Sequence, residues 1–325
     1  MLRHRPALLV IGIALLAGAP ACGPASTAPD ATYMKSVYRF VGRRLVSVPM
    51  RDRGGCLACS DEVTTALIAA AIEAAGSTRS AYLHLRARQP LAEPIAVDLG
   101  LTKQQHWITT RIDLRPGIDA LWKALDKKAI RWAINKGRKT GVRVELDDSA
   151  DAYAAFYDLF ARTRTKMGIP TFPHSLFEAI RRHLVPLGRA HLLTVWADDE
   201  RIHAMISFCY KDTYTPAYAA PQNEWRKKYP SEMAIWRSIE WAVENGCASY
   251  DFGADSPQQE GLLWFKKKWG GVQHPMYSYY YLATGRRLPD DDSTSGRYDV
   301  ARRVWRLLPL SVAKPLGAFV TRRLS

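Results

Sequence analysis

The sequence contains few cysteines and no long apolar run beyond its first residues, and each absence excludes a class of protein. The five cysteines, at positions 22, 56, 59, 209 and 247, are too few and too scattered over 325 residues for a disulfide scaffold. No run after residue 20 approaches the roughly 20 apolar residues of a membrane-spanning helix, which excludes a polytopic membrane protein. Because 47% of the residues are hydrophobic, a packed core can hold the fold together.

The sequence also lacks the residue patterns of common metal and nucleotide sites. Its eight histidines are dispersed, and it has neither a Gly-Lys-Ser phosphate-binding loop nor a nucleophile elbow. Cys56-Leu57-Ala58-Cys59 invites a zinc or redox interpretation, but no second Cys or His pair has the matching spacing. We therefore expect no metal site.

Acidic residues are the minority among the charged side chains. Lys and Arg total 46 against 31 Asp and Glu, which gives a formal net charge of +15. A surface of this sign attracts polyanions such as phosphates, nucleic acid or acidic lipid headgroups. The charge limits the class of partner without identifying it.

Residues 1–22 have the features of a secretory leader. Arg3-His4-Arg5 precedes thirteen apolar or small residues and then Ala19-Pro20-Ala21, and Cys22 follows directly, as in a lipoprotein. Export or lipid anchoring is one interpretation, and a misassigned start or an uncleaved anchor is the other. Thirteen residues at ~1.5 Å each are too short to span the hydrocarbon core of a membrane.

Apolar periodicity predicts an α/β protein. Short strands are expected within 37–50, 81–87 and 107–114, with helices at 61–75 and 116–141. The next part of the chain predicts, in order, a strand at 142–146, helices at 151–165 and 175–187, strands at 191–197, 202–210 and 213–219, a helix at 231–245 and a strand at 248–252.

The predicted helix 116–141 has an apolar stripe and a positive face. The stripe comprises Ile118, Leu121, Leu125 and Trp132. The positive face comprises Lys123, Lys127, Arg131, Asn135 and Lys139. Such a face is suited to binding the phosphates of a substrate, and the alternative is an ordinary solvated helix surface.

Several local strings, together with this element order, resemble a known family. They are the basic segment Arg131–Val142, Tyr250-Asp251-Phe252-Gly253, and Phe265-Lys266 followed by Trp269-Gly270. Over about residues 37–286 the chain resembles the FemAB-type branch of the GNAT acyltransferase superfamily, whose best-known members add amino acids to peptidoglycan precursors.

The resemblance implies a GNAT-like α/β fold with one complete C-terminal lobe and an incomplete N-terminal lobe. The expected organisation is a leader at 1–22, an incomplete lobe at 31–115, the basic helix at 116–141, the complete lobe at 142–286 and a basic amphipathic tail at 287–325. The implied enzyme is an N-acyltransferase that forms an amide on an amine of a lipid-linked or nucleotide-linked envelope precursor.

The loop at 221–230 distinguishes two possible acyl donors. Acyl-CoA enzymes of this superfamily hold the pyrophosphate on a glycine-rich loop at a helix N-terminus. The loop here contains two prolines and no glycine, which favours aminoacyl-tRNA over acyl-CoA as donor, with no tightly bound cofactor. An acyl-CoA-dependent N-acyltransferase of exopolysaccharide or amino-sugar modification is the alternative enzyme.

Attack of an amine on an activated carbonyl requires a proton acceptor and stabilisation of an oxyanion. The resemblance implies that Phe265 packs near the donor and that Lys266 neutralises a phosphate or the developing charge. Asp251, at the predicted strand end, is the candidate to accept a proton or orient the amine, and Tyr218 to donate to the carbonyl. The alternatives are a cap or lysine partner for Asp251, a solvated turn for residues 266–268 and a core position for Tyr218.

The tail from Trp305 to Leu324 alternates apolar and basic residues, so it either lies on an anionic membrane or packs on the lobe, with Pro309 and Pro315 interrupting a long helix. The basic tail and the donor favour the cytoplasmic face of the inner membrane. The leader favours export, and an exported lipoprotein with a non-catalytic binding lobe is the competing hypothesis.

Overall fold

The computed structural model describes residues 34–38, 42–48, 52–56, 58–87, 89–289 and 299–324. The predicted leader lies outside the described residues, as do the first residues of the predicted N-terminal lobe and positions 290–298 of the tail. Within the described part of the chain, no helix is both long and apolar enough to cross a membrane.

Ten strands are described. They are β1 Met34–Tyr38, β2 Gly42–Val46, β3 Tyr82–Ala87, β4 Thr102–Asp113, β5 Arg143–Leu146, β6 Ala190–Ala197, β7 Glu200–Tyr210, β8 Thr213–Ala219, β9 Ser249–Asp255 and β10 Val272–Leu282.

Ten α-helices and three shorter turns are described. The helices are α1 Asp61–Ser77, α2 Glu93–Asp98, α3 Ile118–Ala124, α4 Trp132–Lys139, α5 Ala150–Met167, α6 His174–His183, α7 Pro230–Glu244, α8 Glu260–Lys267, α9 Asp299–Arg306 and α10 Leu310–Leu324. A π-helical turn occupies Lys127–Arg131, and 3₁₀ turns occupy Val185–Leu187 and Asn223–Lys228.

The chain forms two compact units, and the division falls within β4 and β10. The first unit contains the described residues up to 105 together with 277–289 and 322–324. In it β1 pairs antiparallel with β2, β2 runs parallel to β3, and β3 pairs antiparallel with the end of β10. Helix α1 buries Ile68 and Ala71 against Leu83 of β3, which gives this unit its own core.

The second unit contains residues 106–276 and 299–321 and has the strand order β4-β9-β8-β7-β6-β5. Strands β5 to β8 are antiparallel neighbours in chain order, whereas β9 is parallel to β8 because α7 connects the two. Apolar residues of α7, among them Trp236 and Ile239, pack in one core with Val195 of β6 and Tyr250 of β9.

The predicted helix 116–141 is interrupted, which corrects its expected continuity. Leu125 is extended (ψ 145°), and Asp126 then caps a new turn by accepting hydrogen bonds from the backbone N–H groups of Lys128 and Ala129 at 2.9 and 2.8 Å. Because the helix is interrupted here, the residues of the predicted apolar stripe do not all lie on one face. Leu121 and Leu125 are buried as predicted, but Trp132 is 52% exposed.

Two predicted caps are also wrong, although the helices are present. Ser60, rather than Asp61, caps α1 by accepting from the N–H of Val63 at 3.3 Å. Helix α6 begins after Pro173 with no side-chain cap, so Ser175 lies inside its first turn. Pro173, whose ring fixes φ, occupies the position before this helix instead of a capping side chain.

The tail packs on the second unit, which was one of the two predicted alternatives. Ala313, Gly317 and Thr321 repeat every four residues along α10 and are buried. A side chain at Gly317 would meet the backbone nitrogen of Thr171 at 2.7 Å, so only glycine permits this close approach. Pro309 separates α9 from α10 as predicted, whereas Pro315 lies inside α10 and does not interrupt it.

Candidate active site

Strands β8 and β9 pair only at their beginnings. Thr213 lies opposite Ser249 and Tyr214 opposite Tyr250, and within the described chain no later pair joins the two strands. On its other side, β9 pairs with β4 from Ser249 to Asp255, so after Tyr250 the pairing with β4 continues without β8. The separation of two parallel strands leaves an opening at the carboxyl end of the sheet, the usual position of ligands in such sheets.

A β-bulge fixes Asp251 at the start of this opening. The register of β4 and β9 shifts so that two residues of β9 lie opposite one of β4, and Gly253 has φ 81°, in the left-handed region that favours glycine. The buried carboxylate of Asp251 accepts hydrogen bonds from Thr109 Oγ1 at 2.7 Å, Arg111 Nε at 2.8 Å and Gly253 N–H at 2.9 Å. Asp251 therefore lies inside a strand that continues to Asp255, not at the predicted strand end.

Lys266 is buried in an ion pair. Its Nζ lies 2.6 and 2.7 Å from the two carboxylate oxygens of Asp255 and donates to the carbonyl oxygen of Phe252 at 3.1 Å. The residue is 6% exposed and belongs to α8, which excludes the alternative of a solvated basic turn at this position. A buried ammonium with these partners is held in one place, as a charge used in catalysis must be.

The rest of the Phe-Lys string has a packing role. Trp269 is buried, and Phe265 packs edge-on against it with ring centroids 6.1 Å apart. A side chain at Gly271 would meet Thr110 Cγ2 at 2.4 Å, so glycine allows the end of α8 to approach β4. The string thus fixes the position of Lys266 relative to the sheet.

Tyr218 lies in an aromatic cluster near the end of β8. Its ring packs edge-on against Phe160, Phe172 and Phe177, with centroids 5.2 to 5.8 Å apart. These rings belong to α5, α6 and the segment between them, and Tyr218 is 8% exposed. Most of its side chain therefore contributes to packing.

A basic surface is formed by α4, the π-helical turn before it and the 3₁₀ turn before α7. Its members are Lys127, Arg131, Asn135, Lys136, Lys139, Arg226 and Lys227. The segments are adjacent because Trp132 packs on Tyr229 with centroids 5.2 Å apart, and a side chain at Gly137 would meet the carbonyl oxygen of Lys228 at 3.2 Å.

The basic surface is largely unneutralised. Lys127, Lys136, Lys139 and Lys227 form no ion pair with any residue that the structure describes. Arg131 Nε is buried with no hydrogen-bond partner among the described residues. Such charges attract an anionic ligand more strongly than charges already paired with carboxylates.

The N-terminus of α7 offers few free amides. Pro230 has no N–H, and the N–H of Tyr229 donates to the carbonyl oxygen of Arg226 at 3.1 Å. Glu232 occupies the first turn and bonds its own backbone N–H, and burial raises the pKa of its carboxyl. Helix N-termini that bind phosphate groups present free N–H groups instead, so this turn is a poor pyrophosphate site.

A family model matches the part of the chain that carries Asp251, Asp255, Tyr218 and the basic surface, whereas Lys266 and Arg111 lie outside the matched residues. Residues 126–260 match the model described as "Acetyltransferase (GNAT) domain". These residues are therefore similar to a GNAT domain. The matched GNAT domain contains strands β5 to β9, α7 and the basic surface, and the match ends where α8 begins. No curated protein matches the chain.

Solved structures extend the likeness beyond the GNAT domain. FemX aligns with a TM-score of 0.59 at 16% identity, over 77% of this chain and 88% of FemX. The structure of L-PGS from Bacillus licheniformis aligns with a TM-score of 0.57 at 14% identity, over 85% of this chain and 88% of that protein.

A third structure of the same fold is the C-terminal domain of a proposed lysylphosphatidylglycerol synthetase from Agrobacterium fabrum. It aligns with a TM-score of 0.55 at 13% identity, over 76% of this chain and 80% of that chain. At these identities the likeness establishes the fold. The predicted GNAT-like fold, the acyltransferase domain and the resemblance to FemAB-type proteins are confirmed at that level.

The structure brings together some of the predicted site residues and adds others. Asp251 and Asp255, the partner of Lys266, both lie on β9, whereas Tyr218 packs with the α5 and α6 rings. Asp255 and Arg111 are site residues that were not predicted from the sequence. The string Asp-Phe-Gly-Ala-Asp contains Asp255 as its second aspartate and could have indicated it. No sequence signal identifies Arg111 as the partner of Asp251.

Proposed function

We propose that this protein transfers an aminoacyl group from aminoacyl-tRNA to an amine of a cell-envelope precursor. The observation that carries the proposal is the start of α7, which offers few free amides and carries the acidic side chain of Glu232, next to a largely unneutralised basic surface. A pyrophosphate would lack the cluster of backbone N–H groups that usually binds it, whereas the phosphates of a tRNA can bind along an extended basic surface.

The reaction follows from the groups at the opening between β8 and β9. The acceptor amine attacks the ester carbonyl carbon, the nitrogen loses a proton, and the ribose oxygen of the tRNA leaves with a proton. Lys266 contributes positive charge near the oxygen that becomes negative without donating a hydrogen bond to it, because its ammonium already donates to Asp255 and to the carbonyl oxygen of Phe252. Asp255 keeps this ammonium in place. Asp251 acts as a positioning residue through the bulge, because three hydrogen bonds already use its oxygens.

The acceptor is proposed to be a lipid-linked or nucleotide-linked precursor. The FemAB-type resemblance implies addition of amino acids to peptidoglycan precursors. Lysylphosphatidylglycerol, in the name of one protein of the same fold, is a phospholipid that carries a lysyl group. Both support an acceptor of the cell envelope, with anionic phosphates that match the net charge of this chain.

Donor binding tests the choice between the two donors. In calorimetric titrations at low salt, charged tRNA is expected to bind with micromolar affinity, and acetyl-CoA to show no binding tighter than millimolar. The reason is that α7 begins with few free amides for a pyrophosphate. Micromolar binding of acetyl-CoA would contradict the proposal and favour the acyl-CoA-dependent N-acyltransferase, which the description of the matched family also allows.

Neutralising the basic surface is expected to weaken tRNA binding in a salt-dependent way. Each phosphate contact contributes ~0.7 to 0.9 to the slope of log affinity against log salt. The triple variant Lys127→Gln, Arg131→Gln and Lys139→Gln should therefore lower the slope by about 2, measured by filter binding over a salt series.

A control variant with the same charge change separates contact from net charge. Lys103→Gln, Arg182→Gln and Lys211→Gln replace exposed residues outside the basic surface, and the salt slope should stay near that of the unchanged protein. Equal slopes for the two triple variants would indicate that the basic surface is an ordinary solvated face.

Peripheral contact with an anionic membrane is proposed for α9. Val300, Val304 and Leu307 are 73%, 56% and 83% exposed and recur at helical spacing, with Arg303 and Arg306 exposed beside them. The opposite side of α9 packs on Gly168, where a side chain would meet the carbonyl oxygen of Arg302 at 2.6 Å. An apolar stripe between arginines is typical of helices that lie in a membrane interface.

Charged substitutions in this stripe are expected to release the protein from vesicles. Val304→Asp with Leu307→Asp should lower binding to phosphatidylglycerol vesicles about tenfold in co-sedimentation, since two apolar contacts are lost and two negative charges are added. Phosphatidylcholine vesicles, which carry no net charge, are the control and should bind the unchanged protein weakly. Unaltered binding of the double variant would contradict this contact.

A further inference from the structure

Two cysteines that the proposed reaction does not use lie side by side in the second unit. Cys209 is the penultimate residue of β7, and Cys247 lies between α7 and β9. Their Sγ atoms are 3.2 Å apart, and both are free thiols. The sequence gives no sign of this pairing because 38 positions separate the two residues.

Backbone hydrogen bonds hold both residues in position. The N–H of Cys209 donates to the carbonyl oxygen of Arg189 at 3.0 Å, and the N–H of Cys247 donates to that of Ala242 at 2.9 Å. A disulfide has a sulfur separation of about 2.05 Å, so the two sulfur atoms need to approach by only about 1.1 Å. Small side-chain rotations supply a movement of this size.

The two thiols differ in reactivity. The Cys209 side chain is half-buried, and its hydrogen bond with Cys247 lowers the pKa of its thiol to about 7. The same contact and burial raise the pKa of Cys247, which is 5% exposed. Because the thiolate is the nucleophile, a reagent in solution meets Cys209 first, with Cys247 next to it to complete the exchange.

We propose that Cys209 and Cys247 form a disulfide when the protein meets an exchangeable disulfide such as oxidised glutathione. The Cys209 thiolate attacks one sulfur of glutathione disulfide, forms a mixed disulfide and releases one glutathione thiolate. Cys247 then loses its proton to solvent and attacks the Cys209 sulfur, and the second glutathione leaves as a thiolate. Two protein thiols are oxidised, and one glutathione disulfide is reduced to two glutathione thiols.

The bond would join the elements that meet at the closed end of the β8 and β9 opening. Cys209 lies opposite Tyr214, and Cys247 lies two residues before Ser249, which belongs to the first pair of β8 with β9. The closed loop contains β8, the 3₁₀ turn and α7. A disulfide restricts such a loop in the unfolded chain, so we expect the oxidised protein to melt about 5 to 10 °C higher.

Peptide mapping of the folded, full-length protein tests the proposal. The protein is incubated with oxidised glutathione, its remaining thiols are alkylated, and it is digested with trypsin. The expected product is peptide 202–211 joined to peptide 238–266, separable by reductant. Cys209→Ser and Cys247→Ser should each abolish the linked peptide and the rise in melting temperature, whereas Cys56→Ser, a control at another cysteine, should retain both.

Other products would overturn the proposal. A stable mixed disulfide with glutathione on Cys209 would show that Cys247 does not reach it. A linked peptide that forms only in denaturant would show that the fold does not hold the two thiols ready. Both results are independent of acyl transfer, so the inference can fail while the proposed function stands.

Discussion

Replacement of Lys266 by alanine is expected to lower turnover at least tenfold and to destabilise the protein. Loss of one preorganised charge from a transition state typically costs about 2 to 4 kcal/mol. The substitution also leaves the buried carboxylate of Asp255 without its ammonium partner, and breaking a buried pair costs about 3 to 5 kcal/mol. Steady-state kinetics and urea unfolding of the same preparation measure the two effects.

Two further variants separate the catalytic effect from the structural one. Lys267→Ala removes the exposed neighbour on the same helix and should change neither quantity appreciably. The double variant Lys266→Met with Asp255→Asn removes both charges of the pair, so it should recover much of the stability but none of the turnover. A stable double variant with near-normal turnover would show that Lys266 serves only the fold.

Asp251→Ala is expected to lower the free energy of unfolding by about 3 kcal/mol or more. The substitution removes the acceptor for Thr109, Arg111 and the N–H of Gly253, and buried donors without an acceptor are costly. Without these hydrogen bonds the bulge between β4 and β9 is no longer stabilised. Asp255 lies on the same strand as the bulge, so its ion-pair partner Lys266 also loses its fixed position. Unfolding in urea gives the stability, and the accompanying loss should appear in kcat.

The exposed pair Asp113–Arg115 near the end of β4 provides the matched control. Both side chains are solvent-exposed, so Asp113→Ala should leave the free energy of unfolding nearly unchanged. Asp251→Asn tests the proton-acceptor hypothesis separately. If Asp251 only positions other residues, the remaining activity of Asp251→Asn should depend on pH in the same way as the activity of the unchanged enzyme, with the same acidic and basic limbs. Disappearance of one limb in Asp251→Asn would assign the proton transfer to Asp251.

Much of the local structure could be predicted because it depends on neighbouring residues. The helix expected at 151–165 is found at Ala150–Met167, where Ser149 caps its start and Gly168, with φ 74°, ends it. The strand expected at 213–219 is found at the same residues. Apolar spacing and turn residues determine such elements, and both can be identified in the sequence.

The site could be predicted only in part because its contacts join distant residues. Lys266 was found through its string, but its partner Asp255 lies on another element, and the partner of Asp251 is 140 positions away in the sequence. The strand expected to end at residue 252 continues to Asp255 because Gly253 accommodates a bulge. The length of β9 therefore depends on its pairing with β4, which the pattern of apolar residues within β9 does not reveal.

Transfer of mass to an acceptor tests the central claim most directly. The purified protein is incubated with a lipid-linked peptidoglycan precursor, or its nucleotide-linked form, and either charged tRNA or acetyl-CoA, and the acceptor is analysed by mass spectrometry. We predict the gain of one aminoacyl group with charged tRNA, no gain with acetyl-CoA, and at least a tenfold slower gain for Lys266→Ala. An acetyl group transferred from acetyl-CoA, or no transfer from either donor to either acceptor, would contradict the account.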